Sequence, residues 1–229
     1  LQKRYPTNGK NIHASNVYLE KTDQDVLEKR LQKIQAYNDK KGFTLGTTAA
    51  VDVKCKGQQY VIRAISNLRK KGYFIRYELV GGGQCNYLQS IAKKYGVEDS
   101  VYFLGQKTHD DVLRWLDSID IYVQPSKQEG LPRALIEAMS RGCPAIGSIT
   151  AGIPELLQDN MLFAKGKIKQ IEDIMMHIFR KDKGFSLDNL ASENFEKAKE
   201  YEYEKISKRR EKIFVEYANF VRSSGGKVE

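Results

Sequence analysis

No stretch of this sequence is apolar for long enough to cross a bilayer, and no charged, apolar and small-residue leader opens it. Its three cysteines, Cys55, Cys85 and Cys143, are odd in number, widely spaced and form no CxxC pair. That pattern excludes a disulfide scaffold and a thiolate zinc site, and it fits a reducing compartment. His13, His109 and His177 have no metal-ligand spacing among themselves. There is no internal repeat, no helix-turn-helix spacing and no basic stripe interleaved with aromatics. The net charge of +9 is spread over mixed Lys/Glu helices, so it reads as solvated helix faces and not as a nucleic-acid footprint. The first residue is Leu. The chain is therefore expected to be a piece of a longer protein, cytoplasmic or peripherally associated with the inner face of a membrane.

What is present is a chain of 229 residues, 41% of them hydrophobic, enough for one substantial domain with extra elements. Residues 1–40 read as a connector with an edge strand, followed by a helix that Thr22 or Asp23 caps and that Leu27, Leu31 and Ile34 pattern. From residue 43 strands and helices alternate over about six units with short connections. "FTLGTTAAV", "YFIRYELV", "VYFLG", "DIYVQPS", "CPAIGS" and "NMLFA" are the strands, and "GQQYVIRAISNLRKKG" and "PRALIEAMSRG" are among the helices. Several strands are apolar on both faces, as buried parallel strands are. The expectation is an α/β domain over 41–183, a doubly wound parallel sheet with helices on both faces. One long charged helix is expected over 186–222, within a terminal unit of residues 184–229.

In such a sheet ligands bind where strands end and helices begin. Three of these loops carry chemistry. In the first, Lys54 and Lys56 stand just before a helix, where free N–H groups attract anions; two exposed loop lysines are the other reading. In the second, Gly81, Gly82 and Gly83 follow a strand. Gly81 and Gly83 fit a G-x-G-x-x-G fingerprint, but Asn86 takes the third glycine's place, which disfavours a dinucleotide oxidoreductase. A tight strand-to-helix turn accounts for one or two of these glycines. The third loop is "QPSKQEGLPRALIEA". Pro132 suits the first helical position, which leaves the amides of Gly130, Leu131, Arg133 and Ala134 near the helix start for anionic oxygens. Glu129 precedes them. Glu137 lies roughly one and a half turns inside the helix, too deep to cap it, so it faces either a ligand or solvent. A carboxylate accepts two hydroxyl hydrogens at once, as the vicinal diol of a ribose offers them.

The stretch "PSKQEGLPRALIEAMSRGCPAIGSITAGIPELL" resembles the donor-binding segment of the family-4 retaining glycosyltransferases of the GT-B fold, with their Glu-x7-Glu motif. "KGQQYVIRAISNL", "YELVGGG" and "VYFLGQ" match further blocks of that family in order, and the similarity covers roughly residues 43–180. The resemblance implies two Rossmann-like domains with a UDP- or GDP-sugar in the cleft between them. This chain corresponds to the C-terminal half, and its last helix to one that returns to an N-terminal domain. It further implies that Glu137 holds the ribose, Glu129 contacts the transferred sugar and Lys56 clamps the diphosphate. In the family an Arg commonly follows the strand-end Gly; here Thr47 follows Gly46, and Lys54 is the candidate stand-in. The implied acceptor is a glycan or a lipid-linked sugar, with no metal or other cofactor. The DxD of a metal-dependent glycosyltransferase has one match, Asp23-Gln24-Asp25, which reads as a helix cap. An epimerase, a phosphorylase or a non-catalytic nucleotide-binding module of the same architecture are the alternatives.

Overall fold

The computed structural model describes residues 15, 17–36 and 42–223; His13 and most of the expected connector strand lie outside them. Six parallel strands form one sheet in the order β3-β2-β1-β4-β5-β6. They are β1 (Phe43–Thr48), β2 (Ile75–Val80), β3 (Val101–Gly105), β4 (Ile121–Gln124), β5 (Ala145–Ser148) and β6 (Leu162–Phe163). The order reverses between β1 and β4, which pair Leu45 with Ile121 and Gly46 with Tyr122. That junction is the topological switch point, and it opens a crevice at the carboxyl ends of those two strands.

The helices are α1 (Gln24–Gln35), α2 (Gln58–Arg69), α3 (Asn86–Lys94), α4 (His109–Ser118), α5 (Arg133–Ser140), α6 (Ile168–Phe179), α7 (Leu187–Ala198) and α8 (Tyr203–Ser223). α2 packs on α3 and α6, and α5 packs on α4 and α7. Each buries the apolar stripe its sequence spells. In α2 that stripe is Val61, Ile62, Ala64, Ile65 and Leu68. α4 begins where the Thr108 hydroxyl accepts the Asp111 amide at 3.2 Å. All four residues of β4 are buried, as a central parallel strand requires. No described helix is long and apolar enough to cross a membrane.

Three expectations are revised. The segment 186–222 is two helices, not one: a 3-10 turn at Lys199–Tyr201 and an extended Glu202 (φ −62°, ψ 143°) separate α7 from α8. No Gly or Pro breaks it there. The connector does: Leu19 donates to the Tyr201 carbonyl at 2.8 Å and accepts from the Tyr203 amide at 2.9 Å. The Glu202 carboxylate also takes the Thr22 amide and hydroxyl at 3.0 and 2.6 Å. Among the described residues, the edge strand expected before α1 amounts to a single bridge, Leu19 with Glu202. Finally, Pro132 caps α5 and is not its first helical residue.

Candidate donor-binding site

The loops after β1 and β4 meet over the switch point. Gly57 ends the first loop with φ +82°, and a Cβ on it would stand 2.0 Å from the Pro125 carbonyl oxygen. Only glycine allows that approach. Beside it the Lys127 amide donates to the Cys55 carbonyl at 2.7 Å. Two backbone segments held this close bring Lys56 and Glu129 together: Lys56 Nζ donates to Glu129 Oε1 at 2.9 Å.

The same carboxylate oxygen accepts from Ser126 Oγ at 2.7 Å and Gln124 Nε2 at 3.1 Å. Gln124 Oε1 in turn takes the Tyr122 hydroxyl at 3.0 Å. The Ser126 carbonyl is held by Thr150 Oγ1 at 2.9 Å and by the Ser148 hydroxyl at 2.5 Å. Glu129 is thus fixed by groups from the end of β4 and indirectly from β5, with a cation across the crevice. Gln124 and Ser126 were not singled out by sequence; their polarity inside an otherwise apolar strand end was the available signal.

α5 starts beside this cluster. Its first backbone bond runs from the Ile136 amide to the Pro132 carbonyl at 3.3 Å, so the helix itself offers no acceptor to the amides of Arg133 and Ala134. Gly130 is exposed, and its carbonyl accepts the Gly152 amide at 3.0 Å, which latches the loop after β5 to the helix entrance. Leu131 packs on the apolar core. The positive end of α5 thus begins four residues after the Glu129 that Lys56 holds.

Glu137 is only 8% exposed, so of the two orientations open to it the solvent-facing one is ruled out. It lines a cavity of about 260 Å³ with His109 and Leu113 of α4, Arg133 of α5 and Tyr18–Asp23 of the connector. Burial pushes its carboxyl above the ordinary glutamate range, and His109 and Arg133 work against the rise. Beneath it the Tyr122 phenol, fully buried, is pushed far up and stays neutral.

The remaining candidates fall outside this cluster. The Lys54 ammonium lies 4.7 Å from the Tyr87 ring centroid, a cation–π contact with α3. Thr47 is buried and bonded to Tyr77 Oη at 2.8 Å and the Val123 carbonyl at 2.7 Å. At Gly81 and Gly83 a Cβ would strike the Ala49 carbonyl oxygen at 2.1 Å and the Asp52 carboxylate at 2.4 Å, whereas at Gly82 it would have room. Packing against the β1–α2 loop thus accounts for two of the three glycines. Asp23 accepts the Asp25 amide at 3.0 Å and caps α1.

Residues 29–199 match the sequence model of the family Glycosyl transferases group 1. The chain is 33% identical over 224 residues to Protein CapJ of Staphylococcus aureus, covering 96% of this chain and 54% of CapJ. It is 32% identical over 133 residues to the amylovoran biosynthesis glycosyltransferase AmsK of Erwinia amylovora, covering 54% of this chain and 33% of AmsK. Among solved structures, Anabaena HepE in complex with UDP and glucose superposes with a TM-score of 0.64 at 20% identity, over 91% of this chain and 55% of HepE. The chain thus spans about half the length of CapJ and HepE and a third of AmsK. With a six-stranded parallel sheet of GT-B type and a family match over most of its length, this chain belongs to the group 1 glycosyl transferases.

Proposed function

We propose that this chain is the donor-binding half of a retaining hexosyltransferase. In this reading it holds a UDP- or GDP-sugar whose sugar passes to a glycan or lipid-linked acceptor, in the synthesis of a polysaccharide or other cell-surface glycan. The observation that carries the reading is the convergence of Lys56, Glu129 and the start of α5 on the switch-point crevice, with Glu137 one helical step beyond. A diphosphate at the α5 N-terminus gains the dipole and the Lys56 charge. Glu137 then accepts the ribose hydroxyls, and the transferred sugar lies against Glu129. Support comes from AmsK, named for amylovoran biosynthesis, and from HepE, solved with UDP and glucose.

Residues 41–183 form the nucleotide-sugar unit in this reading, and α8 reaches toward an N-terminal domain that forms the opposite wall of the cleft. No metal is used, because Lys56 and the helix N-terminus supply the positive field. In a front-face retaining transfer the leaving diphosphate helps deprotonate the acceptor. The protein neutralises leaving-group charge and positions two substrates. The location is cytoplasmic, at the inner face of a membrane where a lipid-linked acceptor is presented.

A nucleotide-binding screen over UDP, GDP and ADP with their sugars tests the donor assignment. The 229-residue chain is expected to bind a nucleotide weakly and to transfer no sugar, whereas a longer chain with a second Rossmann-like domain transfers with retention. NMR of the product's anomeric proton decides it. An inverted product refutes the retaining mechanism, robust transfer by the 229 residues refutes the half-enzyme reading, and binding without turnover by the longer chain favours the non-catalytic module.

A further inference from the structure

Glu137 faces an unusual neighbour for a buried carboxylate. His109 opens α4, and its Nδ1 stands 3.7 Å from Glu137 Oε1. That is an ion-pair separation, longer than a hydrogen bond. The His109 side chain is 62% exposed while that of Glu137 is 10% exposed. One partner therefore stands in solvent, and the other is shielded.

The other charged groups around this cavity are held by other partners or exposed. Just past α5, Arg141 is held by both oxygens of Asp117 at 2.8 and 2.6 Å, and on α5 Arg133 is exposed, its guanidinium 6.0 Å from the Tyr18 ring centroid. From the connector, Asp23 caps α1, and Glu20 and Lys21 are exposed charges of opposite sign. On α4 itself, Asp111 is held below the usual carboxylate range by the Thr108 hydroxyl and Arg114, and Asp110 sits in the first turn. Of the groups that line the cavity with Glu137, His109 alone is of the type whose charge ordinarily changes between pH 5 and 8.

We propose that His109 is a positioning residue for Glu137: as the imidazolium it holds the carboxylate ionised and in place for the ribose diol, which makes donor affinity pH-dependent. The proposal rests on the reading of Glu137 as the ribose ligand. Its physics is simple. Only the anion accepts both hydroxyl hydrogens, and docking a nucleoside strips the remaining water from a carboxylate that burial already disfavours as an anion. A cation 3.7 Å away offsets that cost. The bound state therefore prefers protonated His109. By linkage, nucleotide binding takes up a fraction of a proton. Affinity then falls as pH rises through the imidazole titration, and on the acid side it falls as Glu137 protonates.

UDP-glucose and GDP-mannose are suitable probes, because an esterified diphosphate does not itself titrate near neutrality. The His109 imidazole proton is followed by NMR across pH in the 229-residue chain, free and saturated, with His109→Asn giving the assignment. The expected result is a pKa higher in the complex and an affinity about three- to tenfold weaker at pH 8 than at pH 6. In His109→Asn that dependence is flattened, and in His109→Lys the higher affinity persists through pH 8. A His109 pKa unmoved by saturating donor, with the same pH profile in His109→Asn, overturns the inference while leaving the ribose assignment standing. Undiminished affinity in Glu137→Gln overturns the ribose assignment itself, and no binding of either probe at any pH overturns both.

Discussion

Lys56 Nζ stands 2.9 Å from Glu129 Oε1 and thereby ties the loop after β1 to the loop after β4 across the switch point. The side chains are 28% and 12% exposed, so Glu129 is largely shielded while a ligand anion has access to Lys56. In the proposed reading a donor diphosphate binds this same ammonium, and the sugar it carries lies against Glu129.

The first prediction follows from that arrangement. Lys56→Ala should weaken nucleoside diphosphate binding about 10- to 150-fold, the loss of one charge-assisted hydrogen bond of roughly 1.5–3 kcal/mol. Glu129→Gln should leave nucleoside diphosphate affinity within about twofold and weaken the nucleotide sugar. Measured by calorimetry as a double-mutant cycle, the pair should couple by at least ~0.5 kcal/mol. Additive losses in nucleotide-sugar binding would separate the two residues functionally.

Glu137 yields two readouts. Glu137→Ala should cost nucleotide affinity on the order of 2–3 kcal/mol, or about 30- to 150-fold, with the circular dichroism spectrum intact. Stability moves the other way. Burial raises the folded-state carboxyl above its unfolded value. The stability tied to this proton is present at low pH and is lost as pH rises through the folded titration. Glu137→Gln should therefore raise Tm at about pH 7, and the gain should vanish near pH 4. A Tm difference that is constant over that interval contradicts the raised titration.

The reach of the sequence can be judged from these same residues. The alternation of strands and helices, and the Glu129–Glu137 spacing, are legible because periodicity and turn residues are local signals. The pairing of Lys56 with Glu129 is not, since it depends on β1 and β4 being neighbours and on the register of Gly46 with Tyr122. The stand-in role considered for Lys54 is a similar case: the Tyr87 ring under its ammonium belongs to a different βα unit. The break between α7 and α8 left no trace either, because Lys199–Glu202 contains no helix breaker. Leu19 and Thr22, far away in sequence, extend Glu202. Burial of Glu137 was hidden for the same reason, as α4 and the connector supply its cover.

Metal independence is the third expectation. Nucleotide affinity should be unchanged by EDTA, with Lys56 and the α5 amides carrying the diphosphate charge. Of the acidic pair that a DxD reading would use, Asp23 serves as the α1 cap, accepting the Asp25 amide at 3.0 Å. Asp23→Ala with Asp25→Ala should cost about 1 kcal/mol of stability through the lost cap and leave nucleotide affinity as it was. A strict Mg²⁺ or Mn²⁺ requirement that this double substitution abolishes would reverse the assignment.

Two glycines at the crevice should respond in opposite ways to the same methyl group. Gly57 has φ +82° and no room, since a Cβ there would meet the Pro125 carbonyl oxygen at 2.0 Å. Gly57→Ala adds left-handed strain and forces the loops apart, a loss on the order of 2–4 kcal/mol. For a chain of this size that lowers Tm by roughly 5–15 °C. Gly130 has no heavy atom within 4 Å of its Cβ position and no positive φ. Gly130→Ala should hold Tm to within about 2 °C. Its methyl group, however, projects at the entrance of α5, where the diphosphate must approach the backbone closely, so nucleotide affinity should drop about tenfold or more. Thermal melts and calorimetric titrations of the two variants separate the roles. On the proposed reading Gly57 brings the two loops together, and Gly130 keeps the approach to α5 clear. A Gly130→Ala chain that binds nucleotide as well as the parent would move the diphosphate away from the start of α5.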